Sequence, residues 1–342
     1  MHQLAYFDVN VKIIGLAVSQ NLSCNRRMNN VLSLDGGYDK ALAILRDGGL
    51  VAVPTETVYG LAAHACDEKA VQNIYKAKGR PSFNPLIAHV ADVVMAKRYA
   101  EFDNVSEKLA QNFWPGALTL VLPLKTPSKI AGAVTAGLNT IALRHPRGIM
   151  AQLAAGLKAP LAAPSANSSG KISPTSAEHV ADDLGNKVDL ILDGGRCDVG
   201  LESTIVKCAK DGVYLLREGG IPLDAIKDVV GTDILKVDGT KLEAPGMMLA
   251  HYAPTSPLRL NIAEPREDEA FLAFGEGGKR NAPTRNLSPT GNLEEAAHNL
   301  FAMMKELDAS HPGTIAVHPI PETGIGAAIN DRLRRAAYGN SA

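Results

Sequence analysis

The chain has 342 residues and almost balanced charge, with 35 Lys and Arg against 36 Asp and Glu and a formal net charge of −1 at pH 7. This balance excludes a chain-wide electrostatic footprint for nucleic acid but leaves room for a local basic patch. No run of about 18 apolar residues occurs, so the sequence predicts no membrane span. The cysteines are widely spaced and form no C-x-x-C pair, so a reduced, cytoplasmic compartment is expected.

The length favours two domains, and residues 1–30 are predicted to be a poorly ordered N-terminal extension. The run from Val11 to Val18 has a faint likeness to a signal peptide. Lys12 inside the run and Asp8 before it argue against that interpretation.

Apolar periodicity and turn residues predict alternating helices and strands, which indicates an α/β fold. In the first part of the chain, helices are predicted over 39–47, 67–78, 105–113, 175–184 and after Pro222. Strands are predicted over 50–53, 86–90, 118–122, 140–144, 190–193, 203–206 and 213–217. Asp67 is the predicted N-cap of the second helix, and Thr175 with Glu178 forms a predicted capping box.

The pattern changes after residue 231, where prolines and a loss of period predict a linker. Beyond it, strands are predicted over 258–262, 271–274 and 314–317, and helices over 293–307 and 325–337. The predicted organisation is a catalytic domain over 31–235, a linker or lid over 236–256 and a small α/β domain over 257–342.

A buried strand near residue 50 is followed by polar side chains. Pro54 ends the strand, and Thr55, Glu56, Thr57 and Tyr59 come directly after it. Open α/β sheets bind ligands at the carboxyl ends of their strands. The alternative interpretation is a strand that ends in an ordinary polar turn.

A cationic loop follows the second predicted helix, with Lys76, Lys78, Arg80 and Asn84 inside ten positions. The ordinary role of such cations is to complement the helix dipole. Arginine and lysine also bind phosphate oxygens, and the Asn84-Pro85 turn is not explained by the dipole. The loop is therefore a candidate phosphate site.

A Ser/Asn/Gly loop from Ser165 to Gly170 follows another apolar run, and it is either simple turn chemistry or an anion cradle. Neither a Walker motif nor a dinucleotide fingerprint occurs. Arg144 and Arg217 each end a strand-like run. With Lys78 and Arg80 they would collect cations at one edge of the sheet, which favours a polyanionic small molecule.

Metal and nucleophile motifs are missing from the sequence. The histidines lack the H-x-x-x-H and H-x-H spacing of metal ligands, and Ser165 lacks a G-x-S-x-G frame. We therefore assign no metal ligand to the protein side chains, and His89 is the histidine that we expect nearest to the cationic loop.

Several motifs occur in the order seen in YrdC-like domains. They are Pro54–Leu61, Lys78-Gly-Arg80 with Asn84-Pro-Leu86, Ser165-Ala-Asn167 with Ser169-Gly170, and Glu202–Val206. The tail resembles the long two-domain form of the threonylcarbamoyl-AMP synthase family through His251-Tyr-Ala-Pro254 and Gly324–Arg335. The resemblance implies a twisted mixed sheet with flanking helices and a concave basic site, plus a smaller Rossmann-like α/β C-terminal domain.

The resemblance also implies a nucleotidyltransferase reaction, in which L-threonine, bicarbonate and ATP, with Mg²⁺, give threonylcarbamoyl-adenylate and pyrophosphate. The product would pass to the transferase complex that makes threonylcarbamoyladenosine in tRNA, and weak tRNA binding is a further expectation.

Residue roles are carried over position by position from the resemblance. Lys78 and Arg80 are the expected catalytic residues. The expected ATP-binding residues are Arg80, Asn84, Thr140, Asn167, Thr175, Arg217 and Tyr252. The expected L-threonine-binding residues are Thr57, His89, Arg144, Ser165 and Ser203. Ser173 could replace Thr175, and Thr204 could replace Ser203.

Two features depart from the family pattern. The second domain is short, and Met247–Ala250 is apolar where polar and basic residues are expected. The rival hypothesis is an RNA-binding module of the same type without turnover, which the near-zero net charge disfavours. Carbamoyl transfer in hydrogenase maturation is disfavoured because the segments typical of that protein are missing.

Overall fold

The computed structural model describes residues 30–236, 244–245, 251–276 and 283–339. The expected extension therefore lies outside the described residues up to position 29, as do Met247–Ala250 and most of the predicted linker. Asn30, the last residue of the expected extension, donates from Nδ2 to the carbonyl of Val188 at 2.7 Å.

The larger sheet of the described residues has eleven strands. They are β1 (Val31–Ser33), β2 (Val51–Val53), β3 (Gly60–His64), β4 (Ile87–His89), β5 (Leu118–Pro123), β6 (Thr140–Arg144), β7 (Leu161–Ala162), β8 (Leu190–Asp193), β9 (Thr204–Ala209), β10 (Gly212–Arg217) and β11 (Leu235–Lys236). Their spatial order is β1-β8-β2-β3-β7-β4-β6-β5-β9-β10-β11. Parallel and antiparallel pairs alternate irregularly, so the sheet is mixed.

Helices flank this sheet. They are α1 (Leu34–Arg46), α2 (Glu68–Lys78), α3 (Val93–Ala96), α4 (Asn104–Phe113), α5 (Gly132–Thr135), α6 (Ile149–Leu157), α7 (Ala177–Asp183) and α8 (Leu223–Val230), with a 3₁₀ turn at Gly185–Lys187.

The smaller sheet is parallel throughout and has the order β12-β15-β13-β14. Its strands are β12 (Leu258–Arg259), β13 (Ala270–Ala273), β14 (Thr284–Asn286) and β15 (Ile315–Val317), and its helices are α9 (Leu293–Ala309) and α10 (Gly326–Gly339). The fold is therefore α/β, with a large mixed sheet and a smaller parallel one, as expected. None of the helices in the described ranges has the length and apolar character needed to span a bilayer.

Helix α2 delivers the cationic loop. The Asp67 side chain caps the helix by accepting the Ala70 N–H at 3.1 Å, as predicted. Gly79 ends the helix in the left-handed conformation at φ 61°, which an L side chain adopts only with strain. The chain therefore turns sharply at Gly79, and Arg80 leaves the helix axis.

Loops of the larger unit share an apolar core with the smaller unit. Val58, Ile172 and Leu201 of the larger unit pack with Leu300 and Phe301 of α9. Gly200 stands at the closest approach, because a Cβ there would lie 2.6 Å from the backbone of α9, at a φ of +75°. The larger and smaller units are consequently packed together without room for an added methyl group at this point.

Some sequence predictions of single elements were wrong. The first helix begins at Leu34 rather than at 39, capped by Ser33, so the Gly36-Gly37 pair lies inside it. The predicted capping box at Thr175 is shifted by one residue, because Ser176 is the N-cap and accepts from the N–H of His179. Helices α3, α5 and α6 and strands β1, β3, β11 and β14 were not predicted.

Candidate functional site

One cavity collects side chains from the larger unit and from the segment that joins the two sheets. Its walls are Thr55, Thr57, Val58, Gly60, Arg80, Ile87, His89, Arg144, Ala163, Pro164, Ser165, Glu202, Ser203, Arg217, Pro245, His251 and Tyr252. The space among them, its open mouth included, is about 530 Å³. Eight residues that were assigned to ATP or L-threonine from the sequence lie in this wall: Thr57, Arg80, His89, Arg144, Ser165, Ser203, Arg217 and Tyr252.

Strand ends position several of these side chains. β4 and β6 are parallel and in register, with His89 opposite Arg144 at their last residues. Arg217 ends β10, and Ser203 directly precedes β9. The larger sheet thus brings the ends of distant strands to one hollow, as expected for a ligand site in an α/β protein.

Arg144 is held on three sides and is buried. Its Nε donates to the carbonyl of Gly116 at 3.1 Å, and Nη1 donates to Thr57 Oγ1 at 2.9 Å. Its Nη2 lies 3.0 Å from Glu56 Oε1, in an ion pair whose side chains are each 4% exposed. The Glu56 partner was not predicted from the sequence, because nothing local in the chain connects positions 56 and 144.

Arg80 and Arg217 are the other two arginines of the wall. Arg80 donates to the carbonyls of Asn84 at 3.3 Å and Pro85 at 2.9 Å. Arg217 donates to the Ser203 carbonyl at 2.8 Å and hydroxyl at 3.2 Å and to the Pro245 carbonyl at 3.3 Å. Burial, together with the Arg217 charge, outweighs Tyr75 and lowers the pKa of Arg80 to about 10, so its guanidinium stays charged near neutral pH. Burial also lowers the pKa of Arg217.

Glu202 is a cavity residue that was not singled out for a role. Ser173 donates to its Oε1 at 2.5 Å, and Arg332 of α10 donates to its Oε2 at 2.8 Å. Burial alone would raise the pKa of Glu202, but the charges of Arg332 and Arg217 overcome burial and lower this pKa to about 2. The second domain therefore fixes the charge of a carboxylate in the cavity wall.

Lys78 holds the Ser165–Asn167 loop through hydrogen bonds to its backbone. Its ammonium donates to the carbonyl of Ser165 at 2.6 Å and also to that of Asn167. Complete burial and the neighbouring Arg80 hold the pKa of Lys78 well below its usual range. Lys78, Arg80, Asn167 and Arg217 converge on one region, although Lys78 and Asn167 do not line the cavity.

Tyr252 and His251 close one side of the cavity. Tyr252 has a positive φ of 66°, which is uncommon for a bulky residue and indicates local strain. Its ring stacks on Phe301 with centroids 5.5 Å apart and lies under the Arg332 guanidinium at 5.1 Å. In the described part of the chain, the buried Tyr252 hydroxyl and the Nδ1 atom of His251 make no hydrogen bond.

His89 and His251 are neutral near pH 7. Burial lowers the pKa of each to about 3, and the Arg144 charge adds to this effect at His89. His89 Nδ1 has no hydrogen-bond partner among the described residues. Both rings can therefore accept or donate one hydrogen bond to a ligand.

The remaining assigned residues lie outside the wall. Asn84 is buried in the loop after Arg80, and Thr140 begins β6 at the end opposite Arg144. The Thr175 hydroxyl faces His179 at 3.4 Å, whereas the Ser173 hydroxyl meets Glu202. The sequence left Ser203 and Thr204 as alternatives for one role. Ser203 lines the cavity, whereas Thr204 donates to the carbonyl of Ile221 at 2.6 Å. Their roles stay predictions.

No group of three His, Cys, Asp or Glu side chains within the described ranges could hold a metal ion. Glu202 is the one carboxylate in the described cavity wall, and both of its oxygens already accept hydrogen bonds. The wall is thus built for anions and for polar, uncharged groups.

Two family models match the chain in succession. One, described as Telomere recombination and covering Sua5, YciO and YrdC, matches residues 43–219. The other, described as Threonylcarbamoyl-AMP synthase, C-terminal domain, matches residues 221–338. The two matches follow each other directly and take in both sheets.

Known proteins are similar over most of the chain. Proteins named Threonylcarbamoyl-AMP synthase from Bacillus subtilis and Pyrococcus abyssi are each 41% identical; the match covers 88% and 87% of this chain and 92% and 93% of theirs. The crystal structure of P. abyssi Sua5 complexed with L-threonine superposes with a TM-score of 0.81 at 38% identity, over 87% of this chain and 93% of that one.

Proposed function

The chain belongs to the threonylcarbamoyl-AMP synthase family, and from that premise we propose that it condenses L-threonine, bicarbonate and ATP to threonylcarbamoyl-adenylate and pyrophosphate. It would then be a nucleotidyltransferase whose product serves threonylcarbamoyladenosine formation in tRNA in the cytoplasm. The observation that carries the proposal is the cavity itself, where three buried arginines meet beside neutral histidines and hydroxyl groups.

The chemistry requires orientation more than a protein nucleophile. The threonine amine and bicarbonate give a carbamate with loss of water. A carbamate oxygen then attacks the α-phosphorus of ATP while the bond from that phosphorus to the bridging oxygen breaks, and pyrophosphate leaves. Negative charge grows on the phosphates as the bond breaks, so fixed cations nearby lower the barrier.

The proposed roles follow from the contacts. Arg144 would bind the threonine carboxylate, and Thr57, Ser165 and Ser203 would bind its polar groups. The similar structure of P. abyssi Sua5 complexed with L-threonine supports an amino-acid ligand. Arg80 and Arg217 would bind the triphosphate, because both donate to neutral oxygens and retain their charge.

Mg²⁺ would enter with ATP rather than reside in the protein. Glu202 has both oxygens engaged, so the described wall offers no free carboxylate to a metal ion. Mg²⁺ commonly binds through substrate phosphates, and when bound there it neutralises charge on the departing pyrophosphate.

Tyr252 would act as part of a lid. It lies in the segment that joins the two sheets, and its strained backbone and unpartnered hydroxyl are what a segment that moves on ligand binding would show. Lys78 would act indirectly, by holding the carbonyls of the Ser165–Asn167 loop.

Pyrophosphate release tests the proposal. It should require L-threonine, bicarbonate and ATP together, and omission of any one should abolish it. Arg80→Ala should reduce turnover at least about a hundredfold, the usual loss on removing one charge-stabilising donor, while the circular dichroism spectrum stays unchanged. Arg98→Ala, which removes an exposed arginine of the same domain, is the control. Salt-sensitive tRNA binding without turnover would favour the RNA-binding module instead.

A further inference from the structure

The three cavity arginines differ in their partners. Arg144 is paired with a carboxylate, that of Glu56, at 3.0 Å. Within the described ranges, Arg80 and Arg217 donate to carbonyl and hydroxyl oxygens, which carry no net charge. Arg144 therefore contributes almost no net charge to its end of the cavity wall, whereas Arg80 and Arg217 make no ion pair among the described residues.

Glu56 is a fixed charge rather than a mobile one. Its Oε2 accepts the backbone N–H of Arg147 at 3.2 Å, and its own carbonyl accepts the N–H of Val199 at 2.8 Å. Its carboxylate does not line the cavity; the side chain faces a neighbouring pocket with Arg147 and Arg196, whose exposed side chains are screened by water. Arg144 thus keeps its counter-charge whether or not the cavity is filled.

Arg144 still has donors to offer. A guanidinium carries five N–H groups, and hydrogen bonds to Gly116 and Thr57 use two of them, on Nε and Nη1; Nη2 meets Glu56 in an ion pair without hydrogen-bond geometry. Three remain, one on Nη1 and two on Nη2, and a carboxylate can accept one N–H from each terminal nitrogen in a bidentate manner. Geometry therefore suits a carboxylate, while the net charge of the pair gives no extra attraction to a second negative charge.

We propose that Glu56 is a specificity-determining residue, whose carboxylate neutralises Arg144 so that this end of the cavity accepts the carboxylate of a zwitterionic amino acid and rejects phosphate groups. The inference rests on the proposed function, in which one cavity takes an amino acid and a triphosphate. Without such sorting, the phosphates of ATP or pyrophosphate would compete for Arg144, because a divalent anion gains more from an unpaired cation than a zwitterion does.

Calorimetric titration of L-threonine, with and without pyrophosphate, tests this without turnover. In the unmodified protein, pyrophosphate should change the threonine Kd less than about twofold. In Glu56→Gln the amide oxygen can still contact Arg144, so the Kd should stay within about threefold. Pyrophosphate should then raise the apparent Kd at least about tenfold, which is about 1.4 kcal/mol. Glu56→Asp keeps the charge and should behave as the unmodified protein does.

Glu101→Gln removes an exposed carboxylate of the same domain and should change nothing. Weaker threonine binding in Glu56→Gln without competition by pyrophosphate would reduce Glu56 to a structural residue and overturn the inference. Absence of threonine binding in the unmodified protein would instead contradict the proposed function.

A second measurement needs no variant. The aminophosphonate analogue of threonine replaces the carboxylate by a dianionic phosphonate. It should bind the unmodified protein at least about tenfold more weakly than L-threonine, which is about 1.4 kcal/mol. Equal or tighter binding of the phosphonate would overturn the inference even if Glu56→Gln failed to fold.

Discussion

Two buried arginine–glutamate pairs border the cavity in opposite orientations. In the Arg144–Glu56 pair the arginine lines the cavity and the glutamate does not, whereas in the Arg332–Glu202 pair the glutamate lines it and the arginine is fully buried. The first pair lies within the larger unit, and the second joins α10 to the cavity wall. In both, the residue outside the wall carries the charge opposite to that of the residue inside it, and Arg332 is also paired with Asp331 at 2.6 Å.

The consequence for the site is a division of charge. Glu56 neutralises Arg144, and Arg332 neutralises Glu202, so Arg80 and Arg217 are left as the cations of the described wall without a carboxylate of their own. Burying an unpaired charge costs free energy of folding. Each partner outside the wall reduces that cost for the charged residue inside it. Loss of either pair should therefore lower stability, and loss of the first should in addition change ligand selection.

The largest expected effect on stability comes from breaking the cross-domain pair. Arg332→Met leaves Glu202 buried without its main counter-charge and should lower the free energy of unfolding by about 3–5 kcal/mol in urea titrations. The double variant Arg332→Met/Glu202→Gln removes both charges and should recover part of that loss. A single variant within about 1 kcal/mol of the parent would show that the pair does not stabilise the chain.

Acid should weaken the Arg332–Glu202 pair by protonating Glu202. The folded pKa of Glu202, about 2, lies below its ordinary value of 4.5, so the stability it contributes is present above pH 4.5 and is lost as the pH falls towards 2. The total is about 3 kcal/mol, or about 1.4 kcal/mol for each pH unit. Urea titrations between pH 5 and pH 3 should show a steeper loss in the parent than in Glu202→Gln. Parallel curves would contradict the lowered pKa.

A smaller effect is expected where the two units touch without charge. Gly200→Ala places a methyl group 2.6 Å from the backbone of α9 and should cost about 1–3 kcal/mol of unfolding free energy. Gly79→Ala is the matched control, because φ is also positive there, at +61°, yet no atom lies within 4 Å. Equal losses in both variants would assign the effect to backbone strain rather than to contact between the units.

Local signals in the sequence predicted much of the fold but not the ion pairs. Strand β6 and the Asp67 cap were predicted because β-forming composition and capping act over a few residues. Helix α6 was missed because Gly148 precedes it at a φ of +73° and provides no capping side chain. The partner of Glu202 was missed because Arg332 lies 130 positions away, in the other domain.

The sequence predicted which residue types form the candidate site better than it predicted where each side chain lies. Two strand ends and the cationic loop predicted that Arg144, Arg217 and Arg80 lie together, and all three line the cavity. The motifs did not predict which side chains reach the cavity. Lys78 is bonded to the Ser165–Asn167 loop instead, and Ser173 rather than Thr175 donates to a cavity residue, Glu202. Such differences of one side chain depend on packing, which sequence spacing does not encode.

The most direct test of the account compares two binding isotherms, one for L-threonine and one for ATP, in Arg144→Gln and Arg217→Gln. We predict that Arg144→Gln weakens threonine binding at least about tenfold and changes ATP binding less than about threefold, and that Arg217→Gln does the reverse. If each variant lost both ligands to the same extent, the cavity would not be divided into an amino-acid end and a phosphate end, and the account would be contradicted.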